Sequence, residues 1–132
     1  MKKKIFYACA DILLPSPQPQ QGLVINKKAE MENGVIKDRI AEEFRTAENQ
    51  YLLLDILKGK PGFDGIIFFT VYQFLYGKHF NLKLFNDIQN QNYEIHFARE
   101  NFSFYKNSKN NQILDFIISH DLVFRRKEEE IR

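Results

Sequence analysis

The sequence has no tryptophan and a single cysteine, Cys9. A lone thiol excludes any disulfide within the chain and points to a reducing compartment. No apolar run approaches the roughly 18 residues that a membrane-spanning helix needs. The segment Ile5 to Ala10 behind Lys2-Lys3-Lys4 is too short and too aromatic for a signal-peptide core. These absences give the expectation of a soluble, cytoplasmic protein. An excess of one charge is lacking too. With 19 basic and 17 acidic residues the net charge is +2, too balanced to argue for nucleic acid or a membrane surface as partner. There is no Walker-type phosphate loop, no Gly-x-Gly-x-x-Gly and no zinc-type ligand spacing, so neither a nucleotide cofactor nor a metal is supported.

What is present is one domain's worth of apolar sequence. The 132 residues are 44% hydrophobic and 14% aromatic, enough for a core without staples, and no linker or repeat divides them. The organising stretch is Phe63 to Leu75. Its centre, Ile66 to Phe69, is apolar without interruption and has no wet face. That pattern predicts a strand covered on both sides, the centre of a mostly parallel sheet.

Around it the chain alternates. Lys4 to Ala10 reads as a first, central strand. Asp11 to Gly22 carries Pro15, Pro17 and Pro19 and reads as an extended loop, either a plain surface loop or a binding loop. Leu23 to Asn33 is helix-like and stops at Asn33-Gly34. Val35, Ile36 and Ile40 can make a short strand, whose charged neighbours suggest a sheet edge or an exposed turn. Thr46 opens an apolar helix through Leu57. After the central strand, Tyr72 to Gly77 reads as an aromatic loop. A helix from about Asn81 to Asn90 follows. Tyr93 to Ala98 alternates as a fourth strand, and Phe102 to Tyr105 can add an edge strand. A final apolar helix is expected over about 111–131, packed on the sheet or on a second subunit. The fold expected is therefore a three-layer α/β domain with four to five strands and helices on both faces.

In such folds ligands sit outside the carboxyl ends of the strands. Four loops would converge there. They carry Cys9, Asp11 and Ser16; Glu42, Glu43 and Arg45; Thr70, Tyr72 and Gln73; and His96, Arg99, Glu100 and Asn101. His96, Glu100 and Asp11 are the candidate catalytic residues, because an imidazole and carboxylates can do acid–base work on a polar substrate. Tyr72, Gln73, Arg99, Glu43 and Ser16 are the candidate substrate-binding residues. Each has a plainer reading. His96 alternates with Ile95 and Phe97 and can simply face the other side of its strand. Cys9 in an apolar strand reads as an inert core thiol. Ser16 has no His or Lys near it in sequence to activate it, and Tyr72 can serve packing alone.

The order of elements resembles the catalytic domain of resolvase-type serine recombinases. Tyr7-Ala8-Cys9-Ala10-Asp11, Gln20-Gln21, Leu52-Leu53-Leu54, Gly62-Phe63-Asp64, Ile66 to Phe69 and Ile113 to Ile131 occupy the corresponding places. The resemblance implies that fold and a dimer through the final helix. It does not carry the chemistry. Asp11 and Cys9 stand where the family has its nucleophilic serine and an arginine, and Val71-Tyr72-Gln73-Phe74 stands where it has Leu-Asp-Arg-Leu. Without those arginines a scissile phosphate has no electrostatic support.

The chain is also similar to the sporadic carbohydrate cluster proteins of bacterial surface-polysaccharide gene clusters. The similarity lies in Pro15 to Gln21, Glu43-Phe44, Gly65 to Phe69 and above all His96-Phe97-Ala98-Arg99-Glu100, over roughly residues 4 to 105. The chain departs at Leu75-Tyr76, where that family has an apolar residue followed by proline. The resemblance implies a role in capsule or lipopolysaccharide synthesis. Two readings follow from it: a protein that binds or modifies a sugar or sugar nucleotide, or a non-catalytic, homodimeric partner of a biosynthetic enzyme. A residual nucleic-acid binder is a third reading, opposed by the balanced charge.

Overall fold

Ile66, Ile67 and Phe68 are fully buried in the middle strand of a five-stranded sheet. The computed structural model describes residues 2–11, 18–41, 62–75, 81–105, 115, 116, 119 and 120. The strands are β1 (Lys4–Ala10), β2 (Gly34–Ala41), β3 (Gly65–Phe68), β4 (Glu94–Phe97) and β5 (Phe102–Phe104). Their order is β2-β1-β3-β4-β5. The first four are parallel, and β5 runs antiparallel to β4. Among the described residues two helices, α1 (Gln18–Met31) and α2 (Leu82–Asn90), cover the sheet.

Alternation along the strands sorts the core into two layers. Phe6, Ala8, Ile67, Phe69 and Ala98 meet Ile25 and Ala29 of α1. Tyr7, Cys9, Ile66, Phe68, Ile95 and Phe97 meet Leu84, Phe85 and Ile88 of α2. The helices therefore lie on opposite faces. Each fully buried Phe, Ile or Leu contributes roughly 1.5–3 kcal/mol, against about 1 kcal/mol net for a typical hydrogen bond. Side-chain burial on both faces thus does more than the ladder hydrogen bonds to hold β3 in the middle. Gly65 belongs to the same packing. A Cβ there would lie 2.7 Å from the Glu94 carbonyl oxygen, so the close approach of β3 to β4 needs a residue without one.

The α/β class, the mostly parallel sheet, the edge position of β2 and the edge strand β5 agree with the sequence reading. Three details differ. Helix α1 starts at Gln18, inside the segment read as an extended loop. Pro19 falls in its first turn, where a missing N–H breaks no helical bond and the fixed φ is already suitable. The stop after α1 uses Asn33, with φ 57°, rather than Gly34. Gly34 instead opens β2, where the Phe6 ring occupies the space a side chain would need. The aromatic loop is partly ordered as a 3-10 helix over Val71–Phe74.

The predicted helix from Thr46 to Leu57 lies outside the described residues. So does most of the final helix. Asp115, Phe116, Ser119 and His120 are helical, and the Phe116 ring stacks on Phe102 of β5 at 4.1 Å between centroids. Among the described residues no helix is long and apolar enough to cross a membrane.

Candidate functional site

The strand order reverses between β1 and β3, because the chain builds β2 on one side of β1 and β3 on the other. At such a switch point the loops leaving two adjacent strands diverge and a crevice opens at their carboxyl ends. Here the loops start at Asp11 and Phe69.

Thr70, extended at φ −146° and ψ 151°, caps the 3-10 helix. Its Oγ1 accepts from the Tyr72 N–H at 3.3 Å. Gln73 Oε1 in turn accepts from the Thr70 N–H at 3.1 Å, completing a reciprocal cap. The Gln73 amide nitrogen then crosses the switch point. It donates to the carbonyls of Cys9 at 3.2 Å and Ala10 at 3.3 Å. On the α1 side, Gln21 accepts from the Asp11 N–H and donates to the Asp11 carbonyl, both at 2.7 Å. Two buried glutamines therefore hold the end of β1, and Asp11 beside them is buried.

The β3–β4 ladder continues beyond the strands. The Ala98 and Arg99 N–H groups donate to the Phe68 and Phe69 carbonyls at 2.9 and 2.8 Å. This carries Glu100 to Thr70. Glu100 accepts from the Thr70 hydroxyl at 2.8 Å and from the Val71 N–H at 3.0 Å. Arg99 Nε donates to the same carboxylate at 3.1 Å, and the guanidinium lies 4.8 Å over the Tyr72 ring. The Arg99 side chain is 39% exposed. Among the described residues Nη1 and Nη2 have no protein partner. The cluster can hold an anion or a polyhydroxyl group at its rim through Arg99, on a base that Glu100 fixes.

His96 is elsewhere. Its ring is fully buried on the α1 face, edge-on to Phe6 at 5.1 Å and to Tyr105 at 5.7 Å. Nε2 meets Glu94 Oε1 at 2.9 Å, and Nδ1 meets Ser103 Oγ at 2.9 Å. Lys4 holds Glu94 Oε2 at 3.0 Å. Glu32, just beyond α1, accepts from Ser103 at 3.0 Å, Tyr105 at 2.7 Å and Lys28 at 3.2 Å. Lys28 also donates to Asn101 at 2.9 Å. Burial pushes the His96 pKa below its ordinary value, against the opposing pull of Glu94 and Glu32. Burial also pushes Glu32 up, but hydrogen bonds from Tyr105, Lys28 and Ser103 outweigh it and leave the carboxyl below its ordinary value.

Of the residues expected at the carboxyl edge, the structure brings together Cys9, Asp11, Thr70, Tyr72, Gln73, Arg99 and Glu100. It does not bring His96 to them, because β4 turns that side chain onto the α1 face, and Asn101 turns to Lys28. Ser16, Glu42, Glu43 and Arg45 lie outside the described residues. Glu94 and Ser103 are polar residues that the sequence reading passed over, and Gln21 entered it only through the family resemblances. One signal exists: Glu94 lies two residues from His96 and so shares its face. Among the described residues no group of His, Cys, Asp and Glu can hold a metal ion. Comparison of the chain with protein-family models and with curated proteins finds no match.

Proposed function

We propose that the chain is a protein of bacterial surface-carbohydrate biosynthesis, built on a resolvase-like domain, that binds a sugar or sugar nucleotide at the carboxyl edge of its sheet. The observation that carries this reading is the Arg99–Tyr72 pair beside the switch point. Arginine offers paired donors that fit a diphosphate or carboxylate, and an aromatic ring next to it suits the face of a base or sugar. The resemblance in His96-Phe97-Ala98-Arg99-Glu100 supplies the biosynthetic setting. Glu100 acts as the support that orients Arg99, since both its oxygens are engaged. Recombinase chemistry is not part of this function. Gln73, at one of the positions where that reaction needs an Asp-Arg pair, is fastened to main-chain carbonyls.

Calorimetric titration with a panel of nucleoside-diphosphate sugars tests the proposal. At least one is expected to bind the wild-type protein, and Arg99→Ala should weaken it at least about tenfold, or 1.4 kcal/mol. Absence of binding across the panel, or equal affinity in Arg99→Ala, would overturn it.

A further inference from the structure

The buried cluster on the α1 face contains a geometry that the carboxyl-edge reading does not use. Ser103 Oγ, the His96 ring and the Glu94 carboxylate lie in series, with 2.9 Å at each step. The sheet register produces this arrangement. Ser103 is paired with His96 across the antiparallel β4–β5 ladder, and Glu94 and His96 are two residues apart on one face.

The surrounding hydrogen bonds fix the direction of the Glu94–His96 step. Lys4 donates to both oxygens of Glu94, at 3.2 and 3.0 Å, so that carboxylate faces His96 as an acceptor. A neutral His96 therefore carries its proton on Nε2, and Nδ1 presents its lone pair to the Ser103 hydroxyl. Ser103 has one proton, which it donates to Glu32 Oε1 at 3.0 Å at rest; His96 Nδ1 lies 2.9 Å from the same Ser103 Oγ, and the Tyr105 hydroxyl is a further hydrogen-bond neighbour. Lys28 shares that Glu32 oxygen and places a positive charge beside the hydroxyl. Ser103 itself is only half-buried, on the last strand of the sheet.

We propose that Ser103, His96 and Glu94 form a nucleophile–base–carboxylate triad directed at small acyl esters, a site separate from the Arg99–Tyr72 edge. Ser103 Oγ attacks the ester carbonyl carbon while its proton passes to His96 Nδ1. The bond to the leaving oxygen breaks, and that oxygen takes the proton from Nδ1 and departs as an alcohol. Water then attacks the acyl-Ser103 ester through the same base, releasing the carboxylic acid and restoring the hydroxyl. Glu94 holds the tautomer and balances the charge that passes through the ring.

The test is covalent labelling of the full chain with a fluorophosphonate, read by peptide mass spectrometry. The expected result is one phosphonyl group on Ser103, absent in Ser103→Ala, forming about 100-fold more slowly in His96→Gln. The groups facing His96 are Glu94 on its own strand, Lys4 on β1 through Glu94, Lys28 from α1 and Glu32 just beyond it, and Ser103 and Tyr105 from the β5 segment. With His96 as base, the wild-type labelling rate is level at neutrality and falls only as pH drops through the His96 pKa, which burial holds below the ordinary 6.5. A rate that rises tenfold per pH unit throughout shows an unassisted hydroxyl and overturns the proposal. So does a folded protein that takes no label at Ser103. These two wild-type readouts decide the matter even where His96→Gln does not fold.

Discussion

His96 shows what one position in a strand can and cannot disclose. Its alternation with Ile95 and Phe97 predicts that it faces away from them, and it does. The identity of the groups it meets there depends on α1 and β5. Lys28 and Glu32 arrive from more than sixty residues earlier in the chain, and Ser103 through an antiparallel pairing. Neither is visible in local spacing. The titration of His96 has a consequence for stability. Burial holds its folded pKa below the ordinary 6.5, so the unfolded chain takes up the proton first on acidification. The stabilisation is complete above about pH 6.5 and is lost as pH falls through that value toward the folded pKa. Glu32, depressed below 4.5, acts in the same direction in a lower window, below about pH 4.5. Urea midpoints measured between pH 7.5 and 5 should therefore decline in the wild type and decline less in His96→Gln. An identical slope in the variant would assign the effect to other groups.

At the scale of elements, the helices and strands whose faces are wholly apolar or cleanly periodic are legible, and the polar ends are not. The 3-10 helix Val71–Phe74 is the clearest case. Its aromatic content reads as a loop, while its order comes from Thr70 and Gln73, two polar residues with local partners and one long-range set. The early start of α1 has a similar origin, since proline excludes a helix interior but not a first turn. Replacing Gln73 by Leu keeps the bulk and removes the bonds to the Thr70 N–H, the Cys9 and Ala10 carbonyls and the Cys9 sulfur. The Cys9 carbonyl still accepts from the Phe69 N–H, so at about 1–3 kcal/mol for each remaining group that loses its buried partner the expected loss is roughly 3 kcal/mol by chemical denaturation. Gln73→Glu should be no better, because a carboxylate has no proton for the two carbonyls. A loss below about 1 kcal/mol in Gln73→Leu would show that the tie is not needed.

For the whole molecule, the α/β class follows from the unbroken run Ile66 to Phe69 and the helical segments around it, and the carboxyl edge follows from the class. The order β2-β1-β3-β4-β5 does not follow, because it is set by which strand ends find partners across the chain. The contacts Glu100–Thr70 and Gln73–Cys9 belong to that same order. Stability should be graded accordingly. Amides of Ile66, Ile67 and Phe68, buried on both faces and paired on both sides, should exchange with solvent most slowly. Those of the outer strands β2 and β5 should exchange faster. Hydrogen–deuterium exchange resolved by residue checks this, and uniform protection across the five strands would contradict it.

Gln21 and Gln73 both hold main-chain atoms at the end of β1, and Gln73 adds a longer contact to the Cys9 sulfur at 3.5 Å. Their main-chain bonds do not depend on which residues stand at 9, 10 and 11. Mutational drift at Cys9 and Ala10 leaves these bonds available, within the limits of core volume. Positions 21 and 73 have no such latitude. Each needs one donor and one acceptor on a stem of that length, and asparagine is a methylene too short. In homologous chains that keep this sheet, the two amides should outlast the residues they hold.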